Sequence, residues 1–128
     1  MEVVPRKPSM KGPPEWFTGD VWIDPVFRSD DPSRLNVSAV HFSPGARTAW
    51  HSHTRGQTLY VTEGLGLVQS RGAPIVEMRA GDVVRTPDGE EHWHGAAPQS
   101  FMTHLSMTEG DAQWGNHVSH AEYGRSRP

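Results

Sequence analysis

The chain has 128 residues, a formal net charge of −3 and no cysteine. This length suits one domain with one hydrophobic core, and the lack of cysteine excludes disulfides and thiolate metal ligands. The sequence has no basic block, no apolar run of about 20 residues and no charged-then-apolar leader, so it predicts a cytoplasmic protein that binds neither nucleic acid nor a membrane.

The first predicted segment is an N-terminal arm over residues 1–20. Proline and glycine give it an irregular path, at Pro5, Pro8, Gly12, Pro13 and Pro14. The arm ends in the apolar pair Trp16 and Phe17. Such a pair either packs on a partner subunit or covers the barrel of its own chain, and the sequence leaves both alternatives open.

Residues 21–118 are predicted to form one β domain. Residues 21–24 are typical of a short strand, which Pro25 ends or confines to a sheet edge. Further strand signals recur between turns that contain glycine or proline, at residues 36–42, 58–62, 65–69, 75–78, 83–86, 91–94 and 101–108. Short strands at this spacing predict an all-β sandwich or barrel.

The last segment, residues 119–128, is predicted to be one short helical turn and a tail. Ser119 is followed three residues later by Glu122, which is the pattern of a capping box at a helix N-terminus. The residues after it are expected to fray.

The most informative stretch is residues 45–64, which has His51 and His53 at its centre. Residues two apart on an extended strand point to the same face, so both imidazoles can reach one point in space. Gln57 can bring its carbonyl oxygen to that point, and a third imidazole nitrogen is available from His92. The sequence therefore predicts a metal site with these four ligands.

Residues 45–64 and residues 81–92 resemble the paired motifs of the cupin superfamily. The matching positions, with every spacing kept, are Gly45, His51, His53 and Gly64 in the first motif and Gly81, Pro87, Gly89 and His92 in the second. Two positions depart from the motifs: Gln57 stands where most cupins have Glu, and Ala96 where the second motif ends in Asn. The resemblance implies a cupin double-stranded β-helix, which is a jelly-roll-like β-sandwich barrel, and a homodimer is expected.

A narrower resemblance covers nearly the whole chain. Residues 16–19, 44–51, 56–59, 92–98 and 102–105 are similar to small bacterial cupins with hydroxynitrile lyase activity. That group uses three His and one Gln, usually with manganese, so Gln57 is itself a match to the group. The resemblance implies reversible cleavage of a small-molecule cyanohydrin to a carbonyl compound and cyanide.

The predicted ligand set is electrically neutral. Three imidazoles and one amide oxygen leave a divalent ion its full charge, whereas a Glu ligand would cancel half of it. The ion should then be a stronger Lewis acid and attract anions better. Mixed nitrogen and oxygen ligands suit Mn(II), which the resemblance favours, as well as Fe, Ni, Co or Zn.

Two further histidines are candidates for proton transfer. His94 shares a strand face with His92 by parity, unless it lies on the surface of a twisted strand end. The alternation of residues 101–108 alone would leave His104 exposed, but the resemblance favours an inward side chain. We predict His104 as the general base and His94 as its orienting partner.

Other residues near the motifs are given lesser roles. Thr48 is a catalytic candidate if it faces inward, where it can hydrogen-bond a ligand oxygen; a strand-surface position is the alternative. Trp50 and Trp93 have the opposite parity to the ligands and are predicted to pack behind the site. The histidines without a motif partner are predicted to be structural or exposed, and they are His41, His117 and His120.

Two other functions fit the same motifs. A cupin oxygenase would hold Fe(II) and consume oxygen, and a non-catalytic cupin would bind metal and a small ligand without turnover. A cupin that has kept the motif but binds no metal is a further alternative.

Overall fold

The computed structural model describes residues 1–125, which form twelve β-strands and one short α-helix. The elements are β1 (Met10–Lys11), β2 (Phe17–Thr18), β3 (Val21–Arg28), β4 (Asn36–Phe42), β5 (Arg47–Thr48), β6 (His51–His53), β7 (Gln57–Ser70), β8 (Val76–Arg79), β9 (Val83–Thr86), β10 (His92–Ala96), β11 (Met102–Thr108), β12 (Ala112–Trp114) and α1 (His120–Gly124). The prediction of an all-β chain with one short C-terminal helix is confirmed.

The strands form two antiparallel sheets that share one long strand. The first sheet has the order β1-β3-β4-β11-β7-β9. In the second sheet, β7 lies between β8 and β10, β10 also pairs with β5 and β6, and these pair in turn with β2 and β12. The sheets curl over each other, and their inward faces enclose both the core and a cavity.

The separation of residues 58–62 from residues 65–69 into two strands was wrong, since both belong to β7. Gly64, which had suggested a break, has a φ of 79°. A Cβ atom at this position would lie 1.9 Å from the carbonyl oxygen of Phe101. Glycine therefore lets the strand change direction and pass from one sheet to the other without losing its partners.

Strand β3 also continues where the sequence suggested an end. It runs past Pro25 to Arg28, with a register shift between Pro25 and Phe27. Strand β1 pairs only with Trp22 and Ile23, so Pro25 lies where β3 is the edge of its sheet. The second alternative, a proline confined to an edge, is therefore the one that the structure adopts.

The N-terminal arm packs on its own barrel. Phe17 is buried in the main core and contacts Phe42 with a ring-centroid distance of 6.2 Å. The arm is less irregular than predicted, because residues 10–11 and 17–18 join the sheets as β1 and β2. The main core lies between the sheets and consists of Phe17, Val21, Val40, Phe42, Ala46, Leu59, Val61, Val68, Met78, Ala96 and Met102.

A second core cluster lies behind the second sheet. Trp50 and Trp93 are buried there with Tyr123 of α1, whose hydroxyl donates to the carbonyl of Ala96 at 2.7 Å. The predicted capping box is present, since Ser119 and Glu122 exchange hydrogen bonds with each other's backbone N–H. The prediction that both tryptophans pack behind the site is therefore confirmed.

The expected tail beyond residue 125 lies outside the described residues. No helix within residues 1–125 combines the length and the hydrophobicity needed to cross a bilayer.

Candidate metal centre

The predicted histidine ligands come together at one end of the barrel. His51 and His53 lie on β6, and His51 is the Cα partner of His92 on the neighbouring β10. One nitrogen from each of the three rings lies within 4.8 Å of the other two. All three side chains are buried. The three imidazoles, on two adjacent strands, are therefore close enough together to hold one metal ion.

Gln57 reaches the same point from the start of β7. Its Oε1 lies 2.8 Å from His92 Nε2, and its Nε2 donates to Ser106 Oγ at 2.8 Å. The second hydrogen bond fixes the amide so that its oxygen faces the imidazoles. Gly56 makes the approach possible, because its φ is 73° and a Cβ there would lie 2.4 Å from the Thr86 carbonyl oxygen.

The hydrogen bond of His92 to the backbone leaves a lone pair of His92 facing the lone pairs of the Gln57 amide oxygen. His92 Nδ1 lies 3.0 Å from the Glu90 carbonyl oxygen, which only accepts, so Nδ1 carries the ring hydrogen. A neutral His92 then has a lone pair on Nε2, and this faces the lone pairs of Gln57 Oε1 at 2.8 Å. Two acceptors at this distance repel each other, and a cation bound by both removes the repulsion.

The other two imidazoles show the same fit to a cation. His51 Nδ1 donates to the Ala49 carbonyl at 2.9 Å, which leaves the His51 Nε2 lone pair free. His53 Nε2 is buried and has no hydrogen-bond partner within residues 1–125. Unpaired buried polar atoms are costly, so this donor set suits a divalent transition metal.

Burial keeps the ligand imidazoles neutral. It lowers the pKa of His51 well below the usual value and the pKa of His53 to about 4, and repulsion from His92 adds to both effects. Burial also lowers the pKa of His92. Neutral rings have the lone pairs that a metal ion requires.

His94 and His104 form a second buried pair beside the ligands. His104 Nε2 lies 2.9 Å from His94 Nδ1, and both rings pack against Phe42. Burial lowers the pKa of His104 to about 4 and that of His94 well below the usual value. The prediction of an inward His104 is confirmed, and His94 does not lie on the surface.

Thr48 faces inward, which is the condition under which it was predicted to be a catalytic residue. It is buried, lines the cavity, and its Oγ1 accepts a hydrogen bond from the His94 backbone N–H at 3.2 Å. The neighbouring Arg47 points away from the site, where its guanidinium donates to the Val118 carbonyl oxygen and lies over the Tyr123 ring.

The three remaining histidines lie away from the cavity. His41 contacts Asp24 and Thr103 on the outside of the first sheet, His117 lies 3.4 Å from the Thr18 hydroxyl, and His120 is exposed on α1. These positions agree with the structural or exposed roles predicted for them.

Three of the four predicted ligands, His51, His53 and Gln57, line one cavity of about 340 Å³ together with the histidine pair. This volume is in the range of small-molecule sites. Its polar lining residues are Arg28, Asn36, Ser38, Thr48, His51, His53, Gln57, His94, His104, Ser106, Thr108 and Asp111. Its apolar wall consists of Trp16, Phe17, Ile23, Val40, Ala112 and Trp114.

Sequence reasoning missed the roles of Trp114 and Trp16 in this cavity. Trp114 lies on β12, a three-residue strand with no motif, and it faces His51 only because β12 pairs with β6. Trp16 had been assigned to the arm, and its contact with the site depends on how the arm folds back. A signal for Trp114 was its aromatic ring in an otherwise polar segment, whereas Trp16 was noted only as part of the apolar pair with Phe17.

Comparison with known proteins agrees with this geometry. Residues 38–106 match the cupin domain family. An (R)-mandelonitrile lyase from Granulicella tundricola is 51% identical over 121 residues, which cover 91% of this chain and 92% of the relative. A cupin-like protein from Thermotoga maritima has a TM-score of 0.88 at 38% identity, covering 98% of this chain and 97% of that chain.

A more distant structure shows the shared fold alone. A cupin 2 conserved barrel domain protein from Rhodopseudomonas palustris has a TM-score of 0.71 at 15% identity, covering 90% of this chain and 79% of that chain. The chain therefore belongs to the cupin family, and it has the double-stranded β-helix fold that its two sequence motifs predicted.

Proposed function

We propose that this protein is a metal-dependent hydroxynitrile lyase, which reversibly cleaves a cyanohydrin to a carbonyl compound and cyanide. The observation that carries the proposal is a three-His, one-Gln cluster beside a neutral histidine pair in one small cavity. The 51% identity to a protein named (R)-mandelonitrile lyase supports the same reaction.

His51, His53, Gln57 and His92 would hold the ion, and we propose Mn(II) from the resemblance to the three-His, one-Gln cupins. When bound, a divalent cation supplies Lewis acidity toward the substrate hydroxyl and positive charge toward the departing cyanide. The neutral side chains leave that charge uncompensated, because none of the four carries a carboxylate.

The histidine pair moves the proton. His104 is proposed to accept the hydroxyl proton as general base, while the carbon–carbon bond to the nitrile breaks with its electron pair on cyanide and the carbonyl group forms. His94 orients His104 through the 2.9 Å contact, and Thr48 holds the His94 backbone. The pair then returns the proton to cyanide, and synthesis follows the reverse path. Burial lowers the pKa of both rings, so both are unprotonated at neutral pH and each has a lone pair.

The apolar wall supplies the place for the substrate's carbon substituent. Phe17, Ile23 and Val40 line the cavity and continue into the main core. Burial of an apolar substituent there contributes roughly 25 cal/mol per Å² and excludes water from the reacting group. We therefore propose a small, mainly apolar cyanohydrin as the substrate.

The test is cleavage of mandelonitrile by purified protein with measured metal content, with and without oxygen. Metal-dependent release of benzaldehyde and cyanide at equal rates in air and under nitrogen is expected. An oxygen requirement would favour an oxygenase, and metal binding without any turnover would favour a ligand-binding cupin; either result would overturn the lyase proposal.

The cytoplasmic location stays a prediction.

We also propose that the protein is a homodimer, formed through an apolar outer face of the first sheet. The apolar outer face consists of Trp22, Phe27, Val37, Ala39, Tyr60, Val83, Leu105 and Met107. Several of these side chains are well exposed, with 47% for Trp22 and 61% for Val83. Five strands contribute to it, which gives about 500 Å² in projection.

A second copy of the chain is the occupant that this surface fits. The projected area is of the order needed for one side of a stable interface, about 800 Å² of accessible surface. Two of its polar side chains are held within the sheet, since His41 contacts Asp24 at 2.8 Å and Arg85 donates to the Thr58 hydroxyl. A largely apolar sheet face packs well on another sheet.

A further inference from the structure

Three aromatic rings connect the N-terminal arm to the metal centre. The Trp16 and Trp114 rings are stacked, with centroids 5.0 Å apart and an interplanar angle of 7°. The Trp114 ring is also stacked on His51, with centroids 4.5 Å apart and an angle of 26°. A residue of the arm is therefore one ring away from a predicted metal ligand.

The backbone provides a second connection between the same two ends. The Ala49 N–H donates to the Trp16 carbonyl oxygen at 2.7 Å. The Ala49 carbonyl oxygen accepts from His51 Nδ1 at 2.9 Å. The backbone of Ala49 therefore bonds to the arm through its N–H and to the His51 ring through its carbonyl oxygen.

The register of β12 explains why Trp114 meets this ligand. Trp114 is the Cα partner of His51, and within residues 1–125 β12 pairs with β6 alone. The Trp114 indole covers one face of the His51 imidazole, and the Ala49 carbonyl oxygen accepts from His51 Nδ1, which is not the nitrogen predicted to bind metal. Together these contacts restrict both torsions of the His51 side chain.

We propose that Trp16 and Trp114 are positioning residues for His51, and that metal binding is coupled to the docking of the N-terminal arm. This inference rests on the metal centre proposed above. Neither tryptophan needs to touch the ion, because each acts by holding His51 in the orientation that points Nε2 at the site. Coupling is reciprocal, so metal must also stabilise the docked arm.

The test is Co(II) titration of the metal-free full-length protein, followed by visible absorption. The variants are Trp16→Ala, Trp114→Leu, the double variant and the conservative Trp114→Phe. The matched control is Phe101→Ala, which removes another exposed aromatic ring outside the cavity. Partners that orient metal ligands typically change metal affinity by about 10- to 100-fold.

We expect Trp114→Leu to weaken Co(II) binding by at least about tenfold and to alter the ligand-field bands. Trp16→Ala should weaken binding by several-fold, and the double variant should lose less than the product of the two single effects, because both act through one ring stack. Trp114→Phe should restore most of the affinity, and Phe101→Ala should match the parent.

Two results would overturn the inference. If the parent binds Co(II) and both single variants bind it within twofold with unchanged bands, the tryptophans do not position His51, although the metal centre stands. If the parent binds no Co(II), the metal centre itself fails. Should Trp114→Leu not fold, Trp16→Ala decides the question, because Trp16 is 41% exposed and its loss leaves both core clusters complete.

Hydrogen exchange tests the reciprocal half of the proposal. Co(II) should slow amide exchange in residues 15–18 of the parent, and this protection should be much smaller in Trp114→Leu than in Phe101→Ala at equal metal occupancy. Equal protection in the two variants would show that the arm docks independently of the ring stack.

Discussion

His104 Nε2 lies 2.9 Å from His94 Nδ1, so one hydrogen atom serves both rings. If His94 donates this hydrogen, its Nε2 has a free lone pair; if His104 donates it, His94 Nε2 carries a hydrogen. His94 Nε2 has no hydrogen-bond partner within residues 1–125 and belongs to a ring that lines the cavity. The tautomer of His104 thus determines whether His94 Nε2 presents a hydrogen-bond acceptor or a donor to a substrate.

The first prediction separates the roles of these two rings. His104→Ala should lower the rate of mandelonitrile cleavage by about 10²–10⁴, because it removes a positioned base. His94→Ala should have a smaller effect, since it removes only the orienting partner. Both rates are measured by benzaldehyde release at matched metal content.

Two outcomes would contradict this assignment. If His104→Ala stays within a few-fold of the parent while His94→Ala collapses, the two roles are reversed. If both variants stay active, neither imidazole is the base.

The second prediction concerns Gln57→Glu. The carboxylate should retain or tighten metal binding through Coulomb attraction, and Ser106 can still donate its hydroxyl to the new side chain in place of the bond it now accepts. Turnover should nevertheless fall, because half of the cation's charge is cancelled. Equal or faster cleavage at full metal occupancy would refute the charge argument.

The third prediction addresses the ligands directly. His53→Ala should reduce the metal content of the purified protein from about one ion per chain to nearly none and abolish cleavage. His120→Ala is the matched control, because His120 is exposed on α1 and is not part of the cluster. Elemental analysis of both variants gives the answer, and an unchanged metal content in His53→Ala would exclude this site.

The fourth prediction is a loss of stability in acid for the metal-free protein. Burial lowers the pKa of folded His104 from 6.5 to about 4, so between these values the unfolded chain binds more protons than the folded one. Stability from this group is therefore complete above pH 6.5 and is lost as pH falls toward 4, by about 1 kcal/mol per pH unit. Denaturant unfolding at pH 7.5 and 5 measures it.

The variant His104→Gln isolates this contribution, because the other buried histidines act in the same direction. It should lose less stability than the parent over the same pH interval. An identical pH dependence in the two proteins would show that His104 is not kept neutral by burial.

The fifth prediction tests the dimer. Tyr60→Arg places a charge on the apolar outer face, where it would be buried without a partner, so it should convert the dimer to a monomer. Val76→Arg is the control, since Val76 is exposed on β8 of the second sheet. Light scattering after size exclusion gives both masses, and a dimeric Tyr60→Arg would exclude this interface.

Much of the fold followed from local signals in the sequence. The strand boundaries at residues 36–42 and 83–86 were predicted without error, because turns with glycine and proline bound them on both sides. The break at Gly64 was wrong, since a glycine with positive φ can either end a strand or let it change sheets. Only the partners on either side of β7 decide between these outcomes.

The sequence by itself predicted an all-β sandwich or barrel and brought His51, His53, Gln57 and His92 forward as candidate ligands, and the resemblance of its two motifs to those of cupins specified the cupin fold. It could do so because alternation along a strand and fixed motif spacing are local properties. The burial of His104 followed the family resemblance and contradicted the alternation of β11 alone. In an ordinary sheet the face with larger apolar residues is the buried one, whereas here the inward face lines a polar cavity.

Only the tertiary structure stacked Trp114 on His51 and Trp16 on Trp114, and brought His94 within 2.9 Å of His104. These contacts join residues 10 to 98 positions apart, and they depend on how the arm folds back, on the pairing of β12 with β6 and on the curvature that brings β10 toward β11. Such contacts arise from the pairing and packing of distant strands, which no local pattern in the chain encodes.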